Sequence, residues 1–459
     1  MAQKWGMIMN AKIQYPSEPP KEPPKSVIAE CIENKRRFSG DLGLWLTHDP
    51  AIYQDEESGY YYIYCTEAVC QRSKDLIHWE MVGKVIEKPP AESSEWVGGD
   101  AIWAPDIVKV GEEYRLYCSN SSFGVRKSCI FLAVADNPEG PFIPRGCVLK
   151  TTDEMPVNAI DANIITDAKS GEMYMVYGSF WGGCHILLLD KETGLVAEEG
   201  IGTCLSCRPK WLSAAVEGPY MVYNPDTDYY YLFVSYGSLK TDYQVRVGRS
   251  KNIKGPFLDF NGRKMTDIED SDNTVGLLEF CGYHWNDGVE YMAPGHNSIL
   301  HDKDGSWYLV CHIREKNFRN QPEPSTMQVR RIFWTPDGWP VLSAEPYAGE
   351  KEQPIEKDAL FGLYERINLV PSLPQGIQTA VPMKLAGGDY YECCSIQGIW
   401  QYDGELLSIA YGPHKEKAFV STVWDVEKNQ PTLAITGISE KGIAFWAKRV
   451  GDLPDNNRK

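Results

Sequence analysis

The chain has 459 residues, 43% of them hydrophobic and 24% charged, with a formal net charge of −17. That length accommodates two or three domains. The acidic balance, with no basic patch or Lys/Arg run, excludes nucleic acid and anionic membrane surfaces as expected partners. No apolar run approaches the ~18 residues of a membrane span, and the N-terminal MAQKWGMIMNAKIQY has no apolar leader core or cleavage signature. The 13 cysteines are odd in number and scattered, several in apolar strands (Cys65, Cys118, Cys311). Free buried thiols suit a reducing compartment, and with no recognisable leader the expected location is cytoplasmic, secretion being the alternative if a leader is missing from this sequence. Cys204-Leu205-Ser206-Cys207 has CxxC spacing but no second pair at zinc spacing, and reads as two incidental thiols.

Residues 1–42 read as an N-terminal extension. Within it PSEPPKEPPK (16–25) is a proline-rich tail or spacer, and residues 26–37 have the pattern of one short helix. From Gly43 to about residue 350 strands dominate, with apolar and polar positions alternating in EYRLYCS and SWYLVCH. One layout recurs: a polar residue, a short strand, an Asp/Gly-rich turn, then a strand bearing Tyr or Trp. His48-Asp49-Pro50 opens the first copy, Ala104-Pro105-Asp106 the second and Ile160-Asp161-Ala162 the third. Glu217-Gly218-Pro219 opens the fourth, and Pro294-Gly295-His296 the fifth. Asp49, Asp106, Asp161 and Glu217 are separated by 57, 55 and 56 residues, and Glu217 and His296 by 79, so one unit carries an insertion of about 20 residues. Five units of short strands predict a five-bladed β-propeller. PEGPF (138–142) and IKGPF (253–257) mark the same outer turn in two blades. Residues 351–459 hold short alternating runs (DYYECCSIQGIWQY, ELLSIAYG, GIAFWAKRV) and predict a smaller antiparallel β domain, barrel or sandwich, after an all-β propeller domain of residues 43–350.

Blades radiate from a central channel, so residues at the start of each innermost strand face one cavity. That places Asp49, Asp106, Asp161, Glu217 and His296 around one axis. Carboxylates facing each other across a cavity are the equipment of glycoside hydrolysis: one protonated to donate to the leaving oxygen, another ionised to activate water or attack. A third acid keeps the donor's pKa raised, because like charges resist joint ionisation. Asp49, Asp161 and Glu217 can fill these roles. A neutral His296 on the axis can hold a cation, with water completing the shell, or act as a hydrogen-bonded structural residue.

The motifs LTHDPAIY, WAPDIV, NAIDANII, GSFWGG, VEGPYMVYN and APGHNSIL, closed by IFWTPDGWPVLS, resemble glycoside hydrolase family 43, and within it the two-domain endo-α-1,5-L-arabinanases. The resemblance covers residues 43–348, and the C-terminal domain more loosely. It implies a five-bladed propeller, inversion at the anomeric carbon and an arabinan or arabino-oligosaccharide substrate. By motif, it implies Asp49 as the general base, Asp161 as the residue that orients and tunes the acid, and Glu217 as the general acid. His296 would help hold a channel metal, calcium in the family, mostly through water. Trp103, Phe123 and Trp181 resemble residues lining arabinose subsites, with Asn158 and Ser179 as polar contacts. Asp106 matches a motif but carries no catalytic role there and reads as structural. Residues 259–291 match nothing in the family pattern and are positioned to close one end of the groove. The same triad serves family 43 α-L-arabinofuranosidases and β-xylosidases, and a non-catalytic carbohydrate-binding propeller is the reading from another class. The intact acid trio disfavours the latter.

Overall fold

A computed structural model describes residues 12–20, 47–316, 325–372 and 376–454. The expected helix at 26–37 lies outside them. Residues 12–20 form no helix or strand, but they are not a free spacer. Gln14 and Gln353 exchange backbone–side-chain hydrogen bonds, and Ile13 packs against the core of the C-terminal domain.

Five sheets form the blades. Four are four-stranded meanders whose innermost strands are Ala51–Gln54, Trp103–Val110, Asn163–Thr166 and Val216–Asn224. The fifth, with innermost strand Tyr291–His301, is enlarged to six strands by Gly282–His284 and, in parallel, Ile377–Thr379. The strands are β-branched and aromatic runs with one or both faces buried between blades, as in the fully buried MYMVY (173–177) and CIFLAVA (129–135). Phe142 and Phe257 from the two matched turns are both buried.

The pairing registers define which residues are equivalent. Ala51 faces Tyr64, Asp106 faces Tyr117, Asn163 faces Val176, Tyr220 faces Phe233 and Ser298 faces Val310. Two residues upstream of each inner-strand partner stand Asp49, Ala104, Asp161, Gly218 and His296, and all five have left-handed backbones with φ of 53, 39, 60, 54 and 46°. The true repeat therefore corrects the expected ring by one residue at Glu217 and two at Asp106. Only Gly218 adopts this conformation without a Cβ cost; the other four need outside support.

That support comes from the preceding blade. Two residues beyond each second-strand partner stand Thr66, Ser119, Gly178, Ser235 and His312. The Ala104 N–H donates to Thr66 Oγ1 (3.1 Å), Asp161 N–H to Ser119 Oγ (2.9 Å), His296 N–H to Ser235 Oγ (2.7 Å) and, closing the circle, Asp49 N–H to His312 Nδ1 (3.2 Å). Gly178 has no side chain to offer, and Gly218 N–H donates to Asp161 Oδ2 instead (3.1 Å).

A second set of ties runs through the position of Asp106. Its Oδ2 accepts from Ile164 N–H of the next blade (2.7 Å), Asn163 Oδ1 accepts from Met221 N–H (2.8 Å) and Ser298 Oγ from Ile52 N–H (3.0 Å). Asp106 is thus a blade staple, buried away from the axis.

Residues 362–451 close into an eight-stranded barrel. Its interior is filled by Trp400, Leu407, Phe445 and neighbours, with one buried pair in which Arg366 grips both oxygens of Glu416 at 2.7 and 2.8 Å. The barrel's outer face continues the propeller core: Ile367, Val423 and Trp446 share one cluster with Phe280, Tyr283 and Trp339. Within residues 259–291, expected at one end of the groove, 259–276 bridge blade four to this seam. Phe260 packs on Trp339, and Asp259 and Asp270 hold the segment through backbone N–H groups and Arg263.

Candidate active site

The left-handed ring collects the acids. His296 Nδ1 lies 3.1 Å from Asp49 Oδ1. A Cβ on Gly218 would lie 3.3 Å from the His296 ring, so the loop carrying Glu217 packs directly on that imidazole. Asp49, Asp161 and Glu217 are nearly buried, at 8, 6 and 9% exposed.

Their environments push them apart electrostatically. Burial works to raise the Asp49 carboxyl, but His296, His48, the Thr66 hydroxyl and Arg314 outweigh it and hold the group below its usual range; Thr66 Oγ1 donates to Asp49 Oδ2 at 2.6 Å. Glu217 is pushed up, by burial first and by Asp49, against the opposing hydrogen bonds of Ser179 and Tyr243 and the charge of His296. Asp161 rises to about 7 through burial, His296 opposing and Glu217 and Asp49 adding to the shift. Asp161 and Glu217 are thus both biased towards the protonated form, and Asp49 towards the ionised one. His296 is raised despite burial by the three acids around it, which favours its protonated form. One ionised and one protonated carboxyl across a pit are the requirements for general acid–base glycoside cleavage.

Both oxygens of Glu217 are held. Ser179 Oγ donates to Oε2 at 2.7 Å and Tyr243 OH to Oε1 at 2.8 Å. Tyr243 is buried and escaped the sequence reading, because it lies past its strand pair outside any repeat-equivalent position. We expect Tyr243→Phe to lower kcat about tenfold, a typical share of a general-acid contribution. Its lost O–H favoured the carboxylate, so Glu217 will hold its proton to higher pH and the alkaline limb of kcat/KM will move up. A pH–rate profile checks this; an unmoved limb would refute the role.

The other expected residues separate into two groups. Phe123 and Trp181 are exposed, at 79 and 41%, with Arg126 over the Trp181 ring at 5.3 Å; Trp103 is half-buried. These present faces a sugar can stack on. Ser179 and Asn158 are turned inward, Ser179 on Glu217 and Asn158 Oδ1 accepting from Ser128 Oγ (2.6 Å).

Among the described residues, the ligand atoms that converge beside this ring belong to His48, Asp49 and His312, within 4.8 Å of one another. His296, expected in that role, is not in the group. His312 was missed although it ends SWYLVCH, where the other copies end in Thr66, Ser119 and Ser235. It is fully buried, stacks on His48 at 4.4 Å between ring centroids, and burial holds its pKa well below the ordinary value.

Comparison with known proteins assigns the lineage. The profile of glycosyl hydrolases family 43 matches residues 45–340, and that of the C-terminal lipocalin-like domain found with it matches 344–447. The chain belongs to glycoside hydrolase family 43. An extracellular endo-α-(1→5)-L-arabinanase of Thermotoga petrophila is 30% identical, covering 88% of this chain and 94% of the relative. Extracellular endo-α-(1→5)-L-arabinanase 2 of Bacillus subtilis is 29% identical, with 88 and 92% covered. The crystal structure of the Thermotoga petrophila endo-1,5-α-L-arabinanase superposes with a TM-score of 0.81 at 28% identity, covering 89% of this chain and 99% of that one. Both relatives are named extracellular, which overturns the cytoplasmic expectation and points to secretion. Unpaired cysteines misled that reading: buried thiols are protected by packing as well as by a reducing medium.

Proposed function

We infer that this family 43 enzyme is an inverting endo-α-1,5-L-arabinanase acting on arabinan and arabino-oligosaccharides. The observation that carries the reading is the Asp49–Asp161–Glu217 trio gathered on one imidazole, with Asp49 held low and Glu217 held high. Asp49 takes a proton from water as it attacks the anomeric carbon, and Glu217 delivers its proton to the departing oxygen. Asp161 fixes the Gly218 backbone by accepting its N–H, while burial and the Asp49 charge keep Glu217 biased towards its protonated form. Trp103, Phe123 and Trp181 supply stacking faces for the chain of sugars. Net charge of −17 accords with a neutral polysaccharide and disfavours nucleic acid; no helix among the described residues is long and apolar enough to cross a membrane.

One carboxylate and two imidazoles supply too few hard oxygens to cage calcium directly. They fit a hydrated cation held mainly through water. His312 Nδ1 receives the Asp49 N–H, so Nε2 carries the ring proton, and Nε2 is buried without a protein partner; a water is the acceptor it calls for. His48 and Asp49 would hold such an ion, whose charge would screen the mutual repulsion of the acids; His312, its Nδ1 taken by the Asp49 N–H, would bind a neighbouring water through Nε2–H.

The test is product stereochemistry. Proton NMR of linear arabinan digests should show the first-formed reducing ends with inverted configuration, in mixed oligomer sizes. Retained configuration, or one product size from the start, would overturn the reading. Exhaustive chelation should lower activity or melting temperature, and calcium should restore it; unchanged behaviour would remove the cation.

A further inference from the structure

The CxxC segment, read from sequence as incidental, lies under the active-site loop. A strand alternates its faces, so residues three apart ordinarily point opposite ways. Here Cys184 pairs with Ser206 and His185 with Cys204, which leaves Leu205 as an extra residue. That bulge returns Cys207 to the face of Cys204. Each thiol shifts the other's titration, Cys204 upward and Cys207 downward, and each reaches a backbone oxygen, Cys204 Sγ that of Ser206 at 3.8 Å and Cys207 Sγ that of Thr266 at 3.5 Å. Both are partly exposed, whereas Cys65, Cys70, Cys118, Cys184, Cys281 and Cys311 are buried.

The loop above them is Phe180–Gly183. A Cβ on Gly183 would collide with Ser206 O and lie 2.8 Å from Cys207 Cβ, so the loop rests on the CxxC backbone. Cys204 Sγ reaches Gly182 O at 3.7 Å. The same loop presents Trp181 and is tied to the strand of Glu217 by the Phe180 N–H to Val216 O bond, 2.7 Å.

We propose that Cys204 and Cys207 are a modification site, closing to an intramolecular disulfide that resets the Trp181 loop. The oxidant is a low-molecular-weight disulfide such as oxidised glutathione. The Cys207 thiolate attacks one of its sulfurs, forming a mixed disulfide and expelling one thiolate. The Cys204 thiolate then attacks the Cys207 sulfur, expelling the second. Two protein thiols are oxidised by two electrons, one external disulfide is reduced to two thiols, and the two protein protons leave with them. Closure removes the Cys204 donor from Gly182 O, loosening the loop. The effect on arabinan rests on the activity assigned above; the bond itself does not.

The experiment incubates the folded enzyme with oxidised glutathione, then maps tryptic peptides by mass. Peptide 192–210 holds Cys204 and Cys207 and no other cysteine. It should lose two hydrogens and regain them in dithiothreitol, while Cys204→Ser should leave glutathione on Cys207. An unaltered wild-type peptide, or one that keeps a glutathione adduct, overturns the site. Oxidation should raise KM for arabino-oligosaccharides about fivefold, the loss of one hydrogen bond, with kcat unchanged, and should leave the KM of the double variant Cys204→Ser/Cys207→Ser constant. An unchanged wild-type KM overturns the coupling to the loop. Absence of arabinan cleavage in either redox state overturns the assigned activity, and the peptide masses still decide the bond.

Discussion

Glu217→Gln lowers kcat on arabinan by about 10²–10⁴-fold, the usual contribution of a positioned general acid. The amide keeps the side chain's shape and its place between Ser179 and Tyr243, but it has no proton to give the departing sugar oxygen. Asp49→Asn loses a comparable factor for the opposite reason. The Asp49 carboxylate is held ionised by His296, His48 and Thr66, and the amide cannot accept a proton from water. The two losses separate by leaving group. An aryl arabinoside, whose phenolate departs without help, should recover most of the rate with Glu217→Gln and none with Asp49→Asn. Oligosaccharide binding, followed by calorimetry, should survive in both. Wild-type rates from Glu217→Gln would remove the proposed acid, and loss of folding in Asp49→Asn would make that residue structural.

Lys448→Ala destabilises the fold by about 3–5 kcal/mol, the penalty for stranding buried charge. The Lys448 Nζ is the sole ammonium among three carboxylates, 2.8 Å from Glu345, 2.8 Å from Asp425 and 2.6 Å from Glu427. Glu345 closes the propeller, and the other three residues belong to the barrel. The cluster therefore locks the domain seam, beside the bonds from Thr436 Oγ1 and Trp446 Nε1 to Leu342 O. One cation cannot balance three anions in a dry site. Burial pushes Glu345 up to about 8, with Lys448 opposing and Glu427 adding to the shift. A carboxyl whose folded pKa is raised binds more protons folded than unfolded. Its contribution is full at low pH and is lost as pH rises towards 8. In Lys448→Ala the stranded acids are relieved by protonation, so the deficit from urea denaturation should be smaller at pH 5 than at pH 8. An equal deficit at both pH values would show that charge is not the cause, and Lys448→Met, which refills the space, should then recover stability.

The barrel beside that seam shows what pattern alone does. Alternating runs such as GIAFWAKRV specified strands with two distinct faces. Both proved apolar in part, because one fills the barrel through Phe445 and Ala447 while the other carries Ala444, Trp446 and Lys448 onto the propeller. Choosing barrel over sandwich required closure, which depends on strand pairing across the whole domain.

The propeller, its five units and the acids Asp49, Asp161 and Glu217 were determined by sequence, because an inner strand repeating every ~55 residues is a local and periodic signal. Tertiary structure decided the exact equivalence of the repeats. It moved Asp106 from the ring to a blade staple, and drew His48 and His312 to Asp49. It also brought Tyr243 to Glu217, and the CxxC pair beneath Trp181. These depend on backbone handedness, a one-residue bulge and contacts between blades. Each is fixed by hydrogen bonds between residues far apart in the chain, and no local pattern encodes them.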